Sequence, residues 1–266
     1  MQPSITIVTS TFNCAEDLEL TAQSVRNQKY ENIQWIVADG ESTDGTADVI
    51  NSNLDVVTNW FSEKDRGIYD AWNKASRFIV NDWVIFLGAG DVFDSSTSLA
   101  KFWDAIQVIG FNTKIVYGNV VYLDQNGAPR YISRKPNLNF WEFGRPALPH
   151  HQGTFQHKSL FSEYTFDASY RVAADSKFLL QALQSFEALH VDVTLTKMSA
   201  GGVSNDAKNL INGEVEIKRI CRELKICVPF FYRIRADLMR RFLIILSARL
   251  PNYFSRSIKS LIDRVR

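Results

Sequence analysis

Short apolar runs alternate along the first ninety residues with segments in which apolar positions recur at helical spacing. The runs are typical of buried strands and cover residues 4–9, 33–38, 56–60 and 83–87. The intervening periodicity predicts a helix over residues 15–28 with Asn13 as its N-cap, a short helix ending near Asn51, and a helix over residues 69–78. Strands and helices that alternate in this way predict an α/β fold with a doubly wound, mostly parallel sheet.

The second half of the chain continues less regularly. Residues 115–123 read as a strand, residues 174–185 as a helix that opens near Asp175, and residues 210–224 as a further helix. The sequence contains no internal repeat and no low-complexity segment.

Polar residues follow three of the predicted strands. They form the clusters Thr9-Ser10-Thr11, Asp39-Gly40-Glu41-Ser42 and Gly88-Ala89-Gly90-Asp91. Ligands of parallel sheets bind beyond the carboxyl ends of the strands, so these clusters predict a ligand site. Asp39 is suited to accept hydrogen bonds from a ribose or a base, and Asp91 can neutralise phosphate only through a cation. Neither a GxGxxG motif after the first strand nor a P-loop is present, which disfavours dinucleotide and P-loop chemistry.

The composition indicates the type of cellular compartment and shows that charge is unevenly distributed along the chain. The three cysteines have no CxxC or metal-ligand spacing, which favours a reducing compartment, and no signal peptide is recognisable. The net charge is +1, yet residues 225–266 carry ten Lys and Arg against two Asp and Glu. The remainder of the chain is therefore acidic, and the tail is strongly basic.

Several motifs together resemble family 2 glycosyltransferases. Residues 37–46 (VADGESTDGT) are similar to that family's D-G-x-S-x-D-G-T signature, and residues 62–74 (SEKDRGIYDAWNK) to its S-E-x-D-x-G-I-Y-D-A-x-N-K block. Gly88–Asp91 occupies the place of its DXD metal motif, with Ala89 where an acidic residue is usual. The resemblance covers about residues 4–205 and is strongest to bacterial exopolysaccharide transferases of the colanic-acid type.

The resemblance implies a GT-A fold, with a nucleotide-sugar-binding half (residues 1–110), an acceptor-binding and catalytic half (residues 111–205) and a basic, amphipathic helical tail (residues 206–266). It implies an inverting transfer from a nucleotide-activated sugar, with a UDP-sugar favoured. The expected donor-binding residues are Thr9, Thr11, Asp39, Ser42, Glu63, Asp65, Gly67, Gly90 and Asp91. Asp91 is expected to hold a divalent cation, Mn²⁺ or Mg²⁺, in a weak site completed by water and diphosphate, and a metal-optional enzyme stays open.

Asp175 matches the aspartate that the family uses as general base, which takes the proton of the acceptor hydroxyl. A cap of the following helix is the alternative role for this residue. His150, His151 and Gln152 are candidates for contact with the acceptor or the diphosphate. Adjacent histidines in an extended segment point in opposite directions, so at most one is expected to face the site. The aromatic stretch over residues 137–143 is expected either to stack on sugars or to pack as a lid.

The tail has no charge-free apolar run of the roughly 18 residues that a spanning helix needs. Its aromatic, aliphatic and arginine residues instead predict a helix on an anionic membrane surface, or one packed on the body. We therefore expect a cytoplasmic protein at the inner face of the plasma membrane, with a lipid-linked or oligosaccharide acceptor and no nucleic-acid partner. A nucleotidyltransferase and a catalytically inactive sugar- or nucleotide-binding module are the alternatives; residues 9–13 lack the basic side chains that the former needs.

Overall fold

The computed structural model describes residues 3–124, 126–136, 141–142, 145–198, 207–227, 229, 234 and 238. The chain divides into two compact units, one of residues 1–137 and 148–200, the other of residues 138–147 and 201–266. The strands of the first unit are β1 (Ile5–Thr11), β2 (Ile33–Asp39), β3 (Asn59–Ser62), β4 (Trp83–Phe86), β5 (Val92–Phe93), β6 (Thr113–Leu123), β7 (Pro129–Ser133), β10 (Thr154–His157) and β11 (Glu187–Met198). Its helices are α1 (Ala15–Arg26), α2 (Thr46–Ser52), α3 (Ile68–Ala75), α4 (Ser98–Asp104), α5 (Leu160–Glu163) and α6 (Ala174–Leu183).

The nine strands described in the first unit form one sheet in the order β3-β2-β1-β4-β10-β6-β11-β5, with β7 paired to β6. Strands β3, β2, β1 and β4 are parallel neighbours. Strand β10 is antiparallel to both β4 and β6, and β11 is parallel to β6. The carboxyl ends of β1, β2, β3, β4, β6 and β11 therefore lie at one edge of the sheet. This arrangement confirms the doubly wound, mostly parallel α/β fold.

Apolar side chains cover both faces of the sheet. One face packs on α1 and α4 through a core that includes Trp35, Ile85 and Phe102, all fully buried. The opposite face is built from aromatic rings: Trp72 of α3 lies 4.4 Å from Phe86 of β4 between ring centroids, and other rings of α6 and its preceding loop join them. Each such side chain contributes about 1.5–3 kcal/mol through burial. This packing fixes α3 and α6 against the sheet.

Three predicted boundaries differ from the structure. The third strand was expected at residues 56–60 but runs over Asn59–Ser62, because the Val57 N–H bonds the Asn53 carbonyl oxygen at 2.9 Å and prolongs the turn after α2. The helix expected over residues 69–78 is α3, followed by a 3₁₀ turn over Ser76–Phe78. Asn13 does not cap α1: its backbone has φ 49°, and its side-chain oxygen accepts a hydrogen bond from the Thr43 N–H at 2.8 Å.

In the second unit, β8 (Trp141–Glu142) pairs antiparallel with β9 (Arg145–Pro146), and α7 spans Ala207–Glu223. Helix α7 matches the helix expected over residues 210–224, and it buries Ile217, Ile220 and Cys221. Among the residues that the structure describes, no helix combines the length and the apolar character needed to cross a membrane. Most of the predicted tail and of the aromatic stretch at residues 137–143 lies outside the described residues.

Candidate active site

Asp39, the last residue of β2, is the centre of a polar cluster at the carboxyl edge of the sheet. Its side chain is almost completely buried. Oδ1 accepts a hydrogen bond from the Ser42 hydroxyl at 2.5 Å, and Oδ2 accepts one from the Ser62 hydroxyl at 2.6 Å. The Ser42 N–H also donates to Oδ2 at 3.1 Å. These donors hold the carboxylate in one orientation, with Ser42 in a supporting position.

The loop after β2 is tied to the loop that precedes α1. The Ser42 hydroxyl accepts a hydrogen bond from the Asn13 N–H at 2.8 Å. Asp44 accepts bonds from the Thr46 hydroxyl at 2.6 Å and from the Ala15 N–H at 3.1 Å. The bond from Thr46 is the main cause that lowers the pKa of Asp44. The second half of the D-G-x-S-x-D-G-T signature thus has a physical role, since it joins the starts of α1 and α2.

Close packing surrounds Gly40, directly after Asp39. A Cβ atom at this position would lie 2.7 Å from Asp65 Oδ2 and 3.3 Å from the Phe12 ring, so only glycine fits without displacement. Asp65 Oδ1 accepts a hydrogen bond from the Gly67 N–H at 2.8 Å, and Gly67 has φ 120°. Phe12 is 62% exposed, which makes it an aromatic surface beside Asp39 and Asp65.

Three expected donor residues, Thr9, Thr11 and Glu63, have partners within the chain. The Thr9 side chain is fully buried, and its hydroxyl accepts a hydrogen bond from the Trp35 indole at 3.0 Å. That side chain joins β1 to β2 inside the core, and its expected contact with a nucleoside stays a prediction. Thr11 is nearly buried, with its hydroxyl 2.8 Å from Cys14 Sγ. Glu63 is exposed and pairs with Lys74 at 3.3 Å.

The turn after β4 is anchored to α1. The Gly90 N–H donates to the Asp17 carbonyl oxygen at 3.0 Å and to the Thr21 hydroxyl at 2.9 Å. The Thr21 hydroxyl oxygen also lies 3.0 Å from the Asp91 carbonyl oxygen. Gly90 has φ 89°, and a Cβ atom there would lie 3.3 Å from the Asp17 carboxyl carbon. The glycine therefore satisfies both a left-handed backbone and a close contact with α1.

Asp91 follows this turn and is 8% exposed. Its Oδ2 lies 2.9 Å from the point that a Cβ atom of Gly88 would occupy, so the carboxylate folds back over the glycine backbone. Within the described residues, no group of three or more His, Cys, Asp or Glu side chains is arranged to hold a metal ion. A single carboxylate fits a cation whose remaining ligands come from phosphate oxygens and water.

Asp175 lies in the first turn of α6 at the meeting point of three elements. Its Oδ1 lies 3.1 Å from the Tyr69 hydroxyl of α3, and its Oδ2 lies 3.2 Å from His151 Nδ1. Burial raises the pKa of Asp175, but hydrogen bonds from His151, from the Ser176 N–H and from Tyr69, with the charge of His151, outweigh it. The resulting pKa lies below the ordinary value, so the carboxylate is ionised at neutral pH.

The two adjacent histidines have different partners. His151 begins a 3₁₀ turn over His151–Gly153 and contacts Asp175 and, edge-on, the Trp72 ring at 5.4 Å between centroids. His150 is directed instead to the Tyr122 hydroxyl, which lies 2.6 Å from its Nδ1. Gln152 is buried, and its carbonyl oxygen accepts a hydrogen bond from the Thr196 hydroxyl at 3.0 Å.

Sequence reasoning missed three side chains of this site. Tyr69 and Phe12 are aromatic and were indistinguishable in sequence from core residues, although Tyr69 lies inside a motif that was recognised. Ser62 ends a strand whose predicted boundary fell two residues short. A search for hydroxyl and aromatic residues within three positions after the end of each predicted strand would have found Phe12 and Ser62.

The fold and site define an α/β protein with ordered carboxylates at the ends of two parallel strands and at the start of a helix. Residues 6–169, more than half of the chain, match the family described as Glycosyl transferase family 2. The chain belongs to this family, which confirms the family-level resemblance of its motifs. The finer likeness to colanic-acid-type transferases stays a prediction.

Relatives and solved structures agree with this assignment. The chain is 28% identical over 219 residues to a PGL/p-HBAD biosynthesis glycosyltransferase of Mycobacterium tuberculosis, covering 76% of this chain and 80% of the relative. It is 30% identical over 91 residues, 33% of this chain and 35% of the relative, to a UDP-Glc:α-D-GlcNAc-diphosphoundecaprenol β-1,3-glucosyltransferase of Escherichia coli.

The fold is similar to that of a mannosyltransferase of Pyrobaculum calidifontis, solved with GDP-Man and Mn²⁺. The TM-score is 0.63 at 15% identity, and the match covers 100% of this chain and 81% of that one. This likeness confirms the GT-A fold.

Proposed function

We propose that this chain is an inverting glycosyltransferase that moves a sugar from a nucleotide-diphosphate sugar to an acceptor hydroxyl, with Asp175 as the general base. The observation that carries the proposal is the half-buried Asp175 carboxylate, held by His151 and Tyr69 at the start of α6. A carboxylate that only capped a helix would need neither partner. A group fixed in this way is suited to take a proton from an oriented hydroxyl.

On the donor side, the cluster around Asp39 is suited to a nucleoside. Asp39 and Asp65 offer carboxylate oxygens to ribose hydroxyls or a base N–H, and the exposed Phe12 ring offers a face for stacking. We infer a UDP-sugar, the donor of the E. coli relative. Thr11, Ser42 and Gly67 support this surface through the contacts of their own loops.

The diphosphate of the donor would then lie at the turn that contains Gly90 and Asp91. Asp91 would hold a divalent cation together with the diphosphate oxygens, since Ala89 contributes no ligand. Such a cation offsets the negative charge that builds on the leaving diphosphate. The Mn²⁺ of the structurally similar mannosyltransferase supports this part of the proposal.

The reaction is a single displacement. The acceptor oxygen bonds to the anomeric carbon on the side opposite the diphosphate, and the bond between that carbon and the phosphate oxygen breaks. The nucleoside diphosphate leaves with the bonding electron pair, and the hydroxyl proton passes to Asp175. The product therefore has the opposite anomeric configuration from the donor.

For the acceptor we infer a lipid-linked glycan of bacterial surface polysaccharide synthesis. We also infer that this chain binds peripherally to the inner face of the membrane, where such an acceptor is accessible. The diphosphoundecaprenol-linked acceptor in the name of the E. coli relative supports the lipid link. The basic composition of residues 225–266 supports the attachment to an anionic membrane surface.

The substitution Asp175→Asn tests the proposal. It keeps the size of the side chain but removes the base, so transfer should fall at least about 100-fold while donor binding is retained. The measurement is nucleotide release from UDP-, GDP- and dTDP-sugars, with calorimetric titration of the donor. Asp82→Asn is the matched control, because Asp82 pairs with Lys158 at the surface. Near-normal turnover in Asp175→Asn would refute the assignment, and donor binding without turnover in the unmodified chain would favour a binding module.

A further inference from the structure

A cavity of about 390 Å³ opens beside the candidate base. Its walls come from the start of α3 and from the loop that precedes α6, and they include Arg66, Tyr69, Asp70, Ser169, Tyr170 and Arg171. Both segments belong to the first unit. The volume is that of a small-ligand pocket and is sufficient for a phosphorylated monosaccharide.

Tyr69 connects this cavity to Asp175. The residue lines the cavity, and its hydroxyl lies 3.1 Å from Asp175 Oδ1 and 2.6 Å from the Val172 carbonyl oxygen. A ligand in the cavity is therefore separated from the base by a single phenol group. Gly67 also lines the cavity, and its N–H bonds Asp65 of the proposed donor surface, so the cavity borders that surface.

Two arginine side chains, Arg66 and Arg171, line the cavity, one from each wall. The Arg66 side chain is 79% exposed and reaches Asp70 at 3.0 Å, and Asp70 also lies 3.9 Å from Lys74. Lys177 Nζ lies 4.8 Å from the centre of the Tyr170 ring. Arg171 joins Arg66 in the wall from the opposite segment. Arginine side chains hold phosphate and carboxylate groups through paired hydrogen bonds.

We propose that this cavity binds an oxyanion of the acceptor, a phosphate or carboxylate carried next to the sugar whose hydroxyl is glycosylated. The inference rests on the proposed function and narrows the acceptor to an acidic class. Arg66 and Arg171 hold the oxyanion at the two walls, and the attached sugar extends past Tyr69 toward Asp175. Neutral glycans lack the group that the two arginines recognise.

The test compares glucose derivatives that carry a phosphate, a carboxylate or no acidic group. Glucose 1-phosphate, glucuronate and methyl glucoside are titrated into the full chain by calorimetry, with the nucleoside diphosphate that binds best present at saturation to fill the donor site. We expect glucose 1-phosphate, glucuronate or both to bind at least tenfold more tightly than methyl glucoside. The stronger acidic probe identifies the oxyanion as phosphate or carboxylate.

Variants assign the binding to the cavity. Arg171→Gln should weaken the preferred acidic probe at least tenfold, and Arg77→Gln should not, because Arg77 is an exposed arginine beyond the opposite end of α3. Thermal unfolding of each variant checks that it folds. Equal binding of all three probes, or equal losses in Arg171→Gln and Arg77→Gln, would overturn the inference. Nucleotide binding by the unmodified chain distinguishes the two kinds of failure. If a nucleotide binds but the acidic probes are not preferred, only the oxyanion inference fails; if no nucleotide binds, the proposed function fails.

Discussion

At the scale of single residues, the environment of Asp175 determines the pKa of the proposed base. Burial alone would raise the pKa of this carboxyl and favour its neutral form. The contacts with His151, the Ser176 N–H and Tyr69 reverse that effect and leave the pKa lowered. A base with a lowered pKa is ionised throughout the neutral range. The base is lost only when the pH falls through that pKa, which lies below the ordinary aspartate value of about 4.

Removal of His151 should move this acid limit. In His151→Ala, burial is opposed by fewer hydrogen bonds, so the pKa of Asp175 should rise and the acid limb of kcat/KM should shift to higher pH. The measurement is the pH profile of nucleotide release. His157→Ala is the matched control, since the His157 ring contacts Trp83 and Ser159. An acid limb that stays in place in His151→Ala, or moves equally in both variants, would contradict the coupling.

At the scale of elements, the turn after β4 depends on α1 for its shape. Gly90 donates to both a backbone carbonyl and the Thr21 hydroxyl of the helix, and Thr21 in turn contacts the Asp91 carbonyl oxygen. These hydrogen bonds connect the proposed diphosphate turn to a neighbouring helix. A helix that is rigid against the sheet thus positions Asp91, although none of its own residues was expected in the site.

The substitution Gly90→Ala tests whether the shape of this turn affects activity in addition to stability. It forces alanine into φ 89° and places a Cβ atom 3.3 Å from the Asp17 carboxyl carbon. We expect a loss of about 1–2 kcal/mol in unfolding free energy and, because Asp91 is displaced, a fall of about 100-fold in nucleotide release.

Gly127→Ala is the matched control for Gly90→Ala. Gly127 has φ 77° but no atom within 4 Å of an added Cβ. It should lose comparable stability and keep its activity. Denaturant unfolding and release assays measure both effects, and equal activity in the two variants would disprove the role of this turn.

The elements that could be predicted from sequence are those whose pattern is local. Strands β1, β2 and β4 are apolar runs buried on both faces, and they were predicted to within about two residues. Strands β10 and β11 were missed: β10 has four residues, and β11 alternates apolar with polar residues and carries register irregularities. Their strand conformation depends on pairing with β6, which no local pattern records.

In the candidate site, too, the residues with a local sequence signal were predicted and those that depend on distant partners were not. Asp39 and Asp91 were predicted because each carboxylate follows an apolar strand, and Asp175 because it matches the aspartate of the family that the motifs resemble. Tyr69 was missed because an aromatic residue on a helix is more often part of a core. The burial of Thr9 followed from the position of Trp35 on the neighbouring strand, which sequence spacing does not specify. Partners that are distant in sequence therefore account for most of what could not be predicted.

At the scale of the whole molecule, opposite charges are segregated along the chain. The basic segment, residues 225–266, begins directly after α7, while the body that contains the carboxylates of the site is acidic. Basic residues near an anionic bilayer contribute about 1 kcal/mol each to attraction. An acidic body is repelled by the same surface, so the charge of the chain favours attachment through the tail.

This charge distribution predicts that membrane binding depends on the position of basic residues and not only on their number. The double substitution of Arg240 and Arg241 by Gln should weaken binding to vesicles rich in phosphatidylserine by about 2 kcal/mol, or roughly 30-fold. The same change at Lys29 and Arg77, two exposed residues of the body, removes equal charge and should have little effect. Co-sedimentation with vesicles at low and high salt measures both. The unmodified chain should also bind neutral vesicles more weakly than vesicles rich in phosphatidylserine. Equal losses in the two double variants would show that net charge, rather than the tail, drives association.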